Sequence, residues 1–191
     1  MTRTVNATRD YLRTIAATMV AAAIFTVALD AQQPNGASMN LEQNKAAARR
    51  WSEELWSLGH LEVADEIIAA DYVRHDPGDP FPARGPEDVK RIVTMLRSML
   101  GDFRITIDDM IAQDDMVVSR YTTTATDDRG YMGLPPTGRT IRTTAIQIFR
   151  FKDGKIVESW AARDDLGTLR QLGHLPQIGP ARPTTTAEPK K

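Results

Sequence analysis

The sequence predicts an α+β domain in which three amino-terminal helices pack on an antiparallel sheet. Apolar residues recur at helical spacing between positions 40 and 100, and they alternate with polar residues between positions 103 and 164. Asp153-Gly154 joins two of the alternating runs and suits the positive φ values of a tight type I′ turn. Helices first, followed by four strands in a meander, is the order of an α+β domain.

The composition limits the classes of function. The chain has 191 residues, of which 41% are hydrophobic, enough for one domain with a substantial core. The net charge of −1 gives no broad basic surface for nucleic acid. The absence of cysteine excludes disulfides, thiolate catalysis and cysteine metal sites.

The amino-terminal segment has the pattern of an export signal. Three arginines are followed by an apolar run at 15–29, and Ala31 offers a small residue for cleavage. A membrane span needs about 20 apolar residues, so this run of 15 is short for an anchor. The pattern predicts a signal peptide over 1–31 and a periplasmic or secreted protein, with an uncleaved anchor or a cytosolic extension as alternatives.

The first helix is expected to follow a polar linker at 32–39. Asn40 and Gln43 resemble a capping box, and Gly59 suits the position just after the last helical residue. The inward face of this helix is expected to consist of apolar residues at helical spacing: Ala46, Ala47, Trp51, Leu55 and Leu58.

Two more helices are predicted before the strands begin. The second covers 61–69, and a brief extended piece at 71–75 follows it. Four prolines make 75–86 a loop, and the last of them suits the first turn of a third helix at 87–100. All three predicted helices therefore lie in the first sixty or so residues of the domain.

The strands alternate between apolar and polar side chains. The first is expected around 103–107, a turn at Asp114-Asp115 reverses the chain, and 117–126 returns along it. Residues 174–191 are rich in proline and threonine, which predicts a flexible carboxy-terminal tail.

The hairpin around Asp153-Gly154 determines which side chains face the interior. A two-residue loop pairs Lys152 with Lys155, and opposed residues share a sheet face. A one-residue slip or a bulge would transfer one strand's residues to the other face. In the simple register, one face carries Phe149, Phe151, Ile156, Trp160 and Asp164, with Gln147 opposite Trp160. This arrangement predicts an aromatic wall with a carboxylate at its far end.

The same residues carry a family resemblance. The motif F-R-F-x-D-G-K-I-x-E-x-W at 149–160 is followed by an Asp four residues and a Gly seven residues after Trp160, and then by L-x-Q-L-G. Together with GLPPTGR at 133–139, it resembles the SnoaL-like polyketide cyclases, or ester cyclases, of the nuclear-transport-factor-2-like superfamily. The resemblance covers about 40–173. It implies a cone in which a curved antiparallel sheet wraps around the helices and encloses one deep pocket.

The resemblance also implies a reaction and a ligand. SnoaL-like enzymes work without a cofactor, by proton transfer at a carbon next to a carbonyl, and close a ring through an intramolecular aldol condensation. The expected ligand is a small hydrophobic or aromatic compound with a carbonyl group. An isomerase or hydrolase using the same carboxylate is one alternative, and a non-catalytic small-molecule binding domain is the other.

By resemblance, Asp164 is the general acid/base. Beside Trp160 and Phe149 its carboxyl would be desolvated, and desolvation raises a carboxyl pKa toward neutral pH. The structural alternative is that Asp164 caps the helical turn after it or forms an ion pair with Arg163.

Other residues complete the predicted site. His75 follows the second helix where the family commonly has a His, and it would orient substrate or share proton transfer, with a structural hydrogen bond as the alternative. Gln147 would donate to a carbonyl, and Trp160 would stack on a planar ring unless it is a core aromatic. Phe149 and Tyr72 are expected to line the substrate site.

Two positions depart from the family pattern, and no metal site is predicted. Ser159 and Asp127 stand where family members commonly carry His. His75, Asp76 and Asp79 are candidate metal ligands within five residues, but no second cluster supports them. The predicted chemistry therefore depends on a carboxylate and not on a metal or a second imidazole.

The far face of the hairpin is predicted to be an interface. It would carry four residues too apolar for solvent: Ile146, Ile148, Val157 and Ala161. Family members often pair through this surface, so the resemblance implies a homodimer.

Overall fold

The computed structural model describes residues 36–176, with side chains from Asn40 onward. The predicted signal peptide at 1–31 lies outside the described residues, as do the first half of the linker at 32–39 and most of the tail at 174–191. Export therefore stays a prediction. Between residues 36 and 176, no helix has both the length and the apolar character needed to cross a membrane.

The first helical segment has two parts. Helix α1 covers Gly36–Arg50 and so begins within the expected linker. It continues as a π-helical segment over Trp51–Leu58, which Gly59 ends in the left-handed conformation at φ 81°. Because the π-helical turn bonds residues five apart, Trp51 and Trp56 lie one turn apart, with ring centroids separated by 5.9 Å.

The second helix is shorter than predicted. Helix α2 covers only Val63–Ile67, because strand β1, Ile68–His75, begins where the helix was expected to continue. Ile68 pairs with Ile156 of the hairpin. This long-range pairing overrides the local helical pattern at the end of the predicted helix.

The third helix is close to its prediction. Helix α3 covers Gly85–Met99 and has Pro86 in its first turn. One stripe is fully enclosed and consists of Val89, Ile92 and Val93.

The sheet contains the predicted meander and one further strand. Strands β2 (Leu100–Gln113), β3 (Met116–Asp127), β4 (Thr140–Lys152) and β5 (Lys155–Arg163) pair antiparallel in that order. Strand β1 lies beyond β5 and runs parallel to it, so the order is β1-β5-β4-β3-β2. Helix α4, Asp165–Leu172, follows β5. The predicted antiparallel sheet therefore has one parallel pair at its edge.

The register of the hairpin differs from the prediction by one residue. Lys152 pairs with Lys155 as predicted, but Arg150 pairs with Glu158, so Val157 is an extra residue in β5. Beyond this bulge, the opposite set of β5 side chains faces the interior. The inward set is Ser159, Ala161 and Arg163, and Trp160 points outward.

Aromatic rings form the centre of the core, between the helices and the inner face of the sheet. The Trp51 ring packs edge-on against Phe149 at 5.5 Å and is 6.0 Å from the Tyr72 ring, measured between centroids. All three side chains are essentially fully buried. This packing fixes β1 and β4 against the π-helical segment.

Candidate active site

A cavity of about 350 Å³ lies between the helices and the inner face of the sheet. This volume suits a small organic ligand. Most of the wall is apolar and comes from α3, the π-helical segment and β2. The apolar lining residues include Trp51, Trp56, Ile92, Leu96, Met99 and Phe103.

The polar groups of the cavity come from β1, the loop after it, the three strands β3 to β5 and the loop before β4. They include Arg74, Asp79, Tyr121, Tyr131, Gln147 and Arg163. Among the lining residues that the structure describes, Asp79 is the one carboxylate. It is therefore the candidate proton-transfer group of this cavity.

A buried ion network supports the polar wall. Oδ2 of Asp76 accepts hydrogen bonds from Nη2 of Arg74 and Nη1 of Arg163, both at 2.7 Å. Nε of Arg74 donates to Oδ2 of Asp79 at 2.7 Å, and Nε of Arg163 donates to Oδ1 of Asp165 at 3.3 Å. The Arg74 and Asp76 side chains are each 3% exposed. Two guanidinium groups thus face three carboxylates, and this pairing keeps the arginines from acting as free cations.

The environment of Asp79 favours proton transfer. Burial raises the pKa of its carboxyl, although the charge of Arg74 opposes this rise. Only Oδ2 is engaged by Arg74, and Oδ1 has no hydrogen bond to any residue between 40 and 176. The Asp79 side chain lines the cavity. Such a carboxyl can accept and return a proton closer to neutral pH than an ordinary aspartate.

Tyr121 on β3 presents a second reactive group. Burial raises the pKa of its hydroxyl, although the charges of Arg74 and Arg163 oppose the rise. The hydroxyl has no hydrogen bond to another residue of the described chain, and it is not a fully enclosed atom. It therefore remains a protonated donor that faces the cavity.

Two enclosed donors of the wall also lack a partner within the described residues. They are Nε1 of Trp56 and Nη1 of Arg74. The Arg74 guanidinium carbon lies 5.1 Å from the centroid of the Trp56 ring. Buried N–H groups without a partner are stabilised when a hydrogen-bond acceptor is placed next to them.

Asp127 holds the loop that closes one side of the cavity. Its fully buried carboxylate accepts from the backbone of Gly130 at 3.1 Å, and from the backbone and hydroxyl of Thr137 at 2.9 and 2.8 Å. The loop carries Tyr131 into the wall, where the Tyr131 hydroxyl donates to Asp165 at 2.9 Å. Asp127 therefore has a structural role at a position where the family commonly has His.

The structure places Asp164 outside the cavity. The residue is exposed and caps helix α4, where its Oδ1 accepts from the backbone N–H of Gly167 at 2.8 Å. The predicted position on the pocket wall is wrong, because the bulge at Val157 turns Arg163 inward instead. The capping alternative describes the observed arrangement.

His75 and Trp160 lie on the outer face of the sheet. Their rings stack with centroids 5.3 Å apart and planes at 11°. Nε2 of His75 lies 2.9 Å from Oε1 of Glu158, and the Arg150 guanidinium covers the Trp160 ring at 5.2 Å. The predicted pocket position of Trp160 is wrong for the same reason as that of Asp164. His75, its neighbour in the register of β1 and β5, faces away from the cavity with it.

Gln147 is the one predicted site residue that lies on the cavity wall. Its Nε2 donates to Oγ of Ser159 at 3.2 Å, and the same oxygen lies 2.6 Å from the Tyr72 hydroxyl. Tyr72 and Phe149 do not line the cavity, because both are 0% exposed in the core. Ser159 pairs with Phe149 and points inward.

Five residues of the polar wall are missing from the predicted site: Arg74, Asp79, Tyr121, Tyr131 and Arg163. From the sequence, Asp79 was considered only as a candidate metal ligand. In the structure, Asp76 and Asp79 bind Arg74 instead. Between residues 40 and 176, no group of three or more metal-ligating side chains comes together. Tyr121 was predictable from the sequence, because alternate residues of β3 share one face. Tyr121 lies four residues after Val117 and therefore on the same inward face.

The sequence of the domain matches a known family. A sequence model described as SnoaL-like polyketide cyclase matches residues 46–172. The chain belongs to this family. Among curated proteins, none matches the chain.

Solved structures resemble this SnoaL-like domain over nearly their whole length. Wild-type IdmH from Streptomyces antibioticus, a proposed polyketide cyclase, is 32% identical, with 69% of this chain and 99% of IdmH covered and a TM-score of 0.61. A proposed polyketide cyclase from Acidithiobacillus ferrooxidans is 31% identical, with 70% and 96% covered and a TM-score of 0.63. TsrD from Streptomyces laurentii is 26% identical, with 70% and 97% covered and a TM-score of 0.64. The predicted nuclear-transport-factor-2-like α+β fold is confirmed.

Proposed function

We propose that this SnoaL-like protein is a cofactor-free enzyme that closes a ring by intramolecular aldol condensation. The observation that carries the proposal is Asp79, a carboxylate that faces an apolar cavity and whose pKa burial raises. Family membership supports the reaction class. The apolar wall supports a small hydrophobic or aromatic carbonyl compound as the ligand.

The proposed reaction needs one group to take and return a proton. The Asp79 carboxylate removes a proton from the carbon next to a carbonyl, so that the C–H bond breaks, an O–H bond forms on Asp79 and an enolate results. The enolate carbon attacks a second carbonyl carbon of the same molecule, and the π electrons of that carbonyl move to its oxygen. Asp79 then returns its proton to this oxygen. The carboxylate is regenerated, and no oxidant or reductant is consumed.

Arg74 positions the proposed acid/base. Its Nε holds Oδ2 of Asp79 at 2.7 Å, which leaves Oδ1 for the proton. Because Asp76 binds the same guanidinium through Nη2 at 2.7 Å, the charge of Arg74 is shared between two carboxylates. This sharing supports a carboxyl that still titrates above its ordinary range.

Deuterium exchange tests the proposed proton transfer. The bicyclic ketone 2-tetralone fits the class of ligand proposed and carries acidic hydrogens next to its carbonyl. In D₂O the unsubstituted protein is expected to accelerate exchange at these carbons, followed by ¹H NMR. The Asp79→Asn variant should slow the catalysed exchange by about 10²–10⁴-fold, the usual contribution of general acid–base catalysis.

Asp164→Asn provides the matched control for this experiment. It makes the same chemical change in an exposed carboxylate outside the cavity, and it should exchange 2-tetralone at the unsubstituted rate. Equal rates for Asp79→Asn and the unsubstituted protein would contradict the proposal. An unsubstituted protein that catalyses no exchange would contradict it as well and would favour a binding domain.

A further inference from the structure

We infer that the Tyr121 hydroxyl binds the carbonyl oxygen of the ligand and donates a hydrogen bond to it as negative charge develops there. The inference rests on the proposed function and deepens it. Proton removal by a base produces an enolate, and its oxygen needs a donor that is already in place. Tyr121 supplies such a donor from the rigid centre of the sheet.

The hydrogen bonds of the described tyrosines single out Tyr121. The Tyr72 hydroxyl lies 2.6 Å from Oγ of Ser159, and the Tyr131 hydroxyl donates to Asp165 at 2.9 Å. The Tyr121 hydroxyl has no partner within the described chain, although its residue is only 7% exposed. Because this hydroxyl lines the cavity and has no protein partner, it is available to donate to an acceptor on a ligand.

The electrostatics around Tyr121 suit a developing negative charge. The positive charges of Arg74 and Arg163 act on its hydroxyl. Nη1 of Arg74 adds an N–H group without a partner in the described residues of the same wall. An oxygen bound by the hydroxyl would lie in the field of these groups, which stabilises an enolate more than the neutral carbonyl that precedes it.

Strand geometry keeps the hydroxyl in place. Tyr121 pairs with Ile107 of β2 on one side and with Ala145 of β4 on the other, so its backbone is fixed by two neighbouring strands. A donor built on a central strand loses little freedom when a ligand binds.

Two ligands that differ by one oxygen test the inference. The probes are 2-naphthol, an aromatic enol, and naphthalene, which lacks the oxygen. Titration of ligand fluorescence should show that Tyr121→Phe weakens the binding of 2-naphthol by about 5- to 100-fold, the effect of removing one buried hydrogen bond. Naphthalene should change by less than about twofold, because the ring and its apolar contacts remain. Thr122→Val is the control, since it removes a buried hydroxyl of β3 that binds Asp108 and does not line the cavity, and it should leave both affinities unchanged.

The two affinities are measured by binding alone, so the test does not depend on whether the protein exchanges 2-tetralone. If Tyr121→Phe keeps the unsubstituted affinity for 2-naphthol, or loses naphthalene to the same degree, the inference is wrong. A selective loss of 2-naphthol would support the oxygen site even if 2-tetralone showed no exchange, a result that would count against the enzyme proposal alone.

A spectroscopic measurement keeps the inference testable if Tyr121→Phe does not fold. The chain has four tyrosines, and ¹³C labels at their ζ carbons give four signals. The Tyr121 signal can be assigned by elimination with Tyr11→Phe, Tyr72→Phe and Tyr131→Phe. It should move when 2-naphthol is added to the unsubstituted protein and stay in place with naphthalene. The same response to both ligands would overturn the inference.

Discussion

Arg74 donates from Nε to Oδ2 of Asp79 across 2.7 Å, yet the pKa of Asp79 lies above that of an ordinary aspartate. Burial of the carboxyl outweighs the charge of its partner. Asp76 contributes to this result, because it binds the same guanidinium and adds its own negative charge nearby. The pair therefore links the chemistry of the cavity to the stability of the fold.

The raised pKa of Asp79 predicts a pH-dependent stability. Between the pKa of the unfolded chain, about 3.9, and the higher folded value, the folded state binds more protons, so its stability falls as pH rises. The contribution is present in full below the unfolded pKa and is lost above the folded one. Asp79→Asn does not titrate, so the free energy of unfolding of the unsubstituted protein should decline relative to the variant across this window.

Denaturant unfolding of the two proteins between about pH 3 and pH 7 measures this difference. The free energy of unfolding of the unsubstituted protein, relative to that of Asp79→Asn, should be highest at the acid end of this range. A difference that stays constant with pH would show that burial does not raise the pKa of Asp79. A difference that favours the unsubstituted protein at higher pH would show a lowered pKa.

Substitutions of Asp164 separate capping from catalysis. Asp164→Ala removes the acceptor for the Gly167 N–H and should lower the free energy of unfolding by about 0.5–2 kcal/mol. Asp164→Asn keeps a good capping side chain and should be close to neutral. Neither variant should slow the exchange of 2-tetralone. If Asp164→Asn lost exchange at unchanged stability, the catalytic role that the resemblance assigns to Asp164 would be restored.

Much of the fold is predictable because its signals are local. Helical spacing marks α1 and α3, and Pro86 and Gly59 mark a helix start and a helix end. Asp153-Gly154 forms the tight turn that its backbone preferences predict, with positive φ at both residues. The parallel pairing of β1 with β5 is different, because it joins residues far apart in the chain and shortens α2 without any local signal.

The site is less predictable because it depends on a single residue. The motif around Trp160 is correct as a family signature, but the extra residue Val157 reverses the inward and outward sets of β5. Arg163 therefore occupies the wall in place of its neighbour Asp164. Arg163 binds Asp76 of the loop after β1, and this proximity follows from tertiary pairing and not from spacing in the sequence.

The outer face of the sheet supports a further prediction, a homodimer. Ile148 pairs with Trp160 on this face, and Ile146 and Ile111 are 47% and 70% exposed there. Trp160 takes the place predicted for Ala161, which the bulge turns inward. We propose that a second copy covers this apolar surface.

Sedimentation velocity tests the proposed dimer. Ile148→Asp places a charge in the centre of the surface and should give monomers or aggregates. Leu166→Asp is the matched control, because Leu166 is 52% exposed on α4, away from the outer face. It should leave the dimer intact. A well-folded monomer for the unsubstituted protein would rule out this prediction.

The last prediction concerns Ser159, whose hydroxyl joins two elements of the core. Its Oγ lies 2.6 Å from the Tyr72 hydroxyl of β1 and accepts from Gln147 Nε2 of β4 at 3.2 Å. Ser159→Ala leaves both buried groups without this partner, and each unpaired group costs about 1–3 kcal/mol. Tyr72→Phe removes a hydroxyl together with its need for a partner, so it should cost only about 1 kcal/mol.

The double variant distinguishes a hydrogen-bond network from independent packing effects. In Tyr72→Phe/Ser159→Ala the Tyr72 hydroxyl is no longer present to be left unpaired. Its loss of unfolding free energy should therefore be smaller than the sum of the two single losses, by about 0.5–3 kcal/mol for residues in contact. Urea unfolding of the four proteins gives this difference. Strict additivity would mean that the 2.6 Å contact contributes nothing beyond packing.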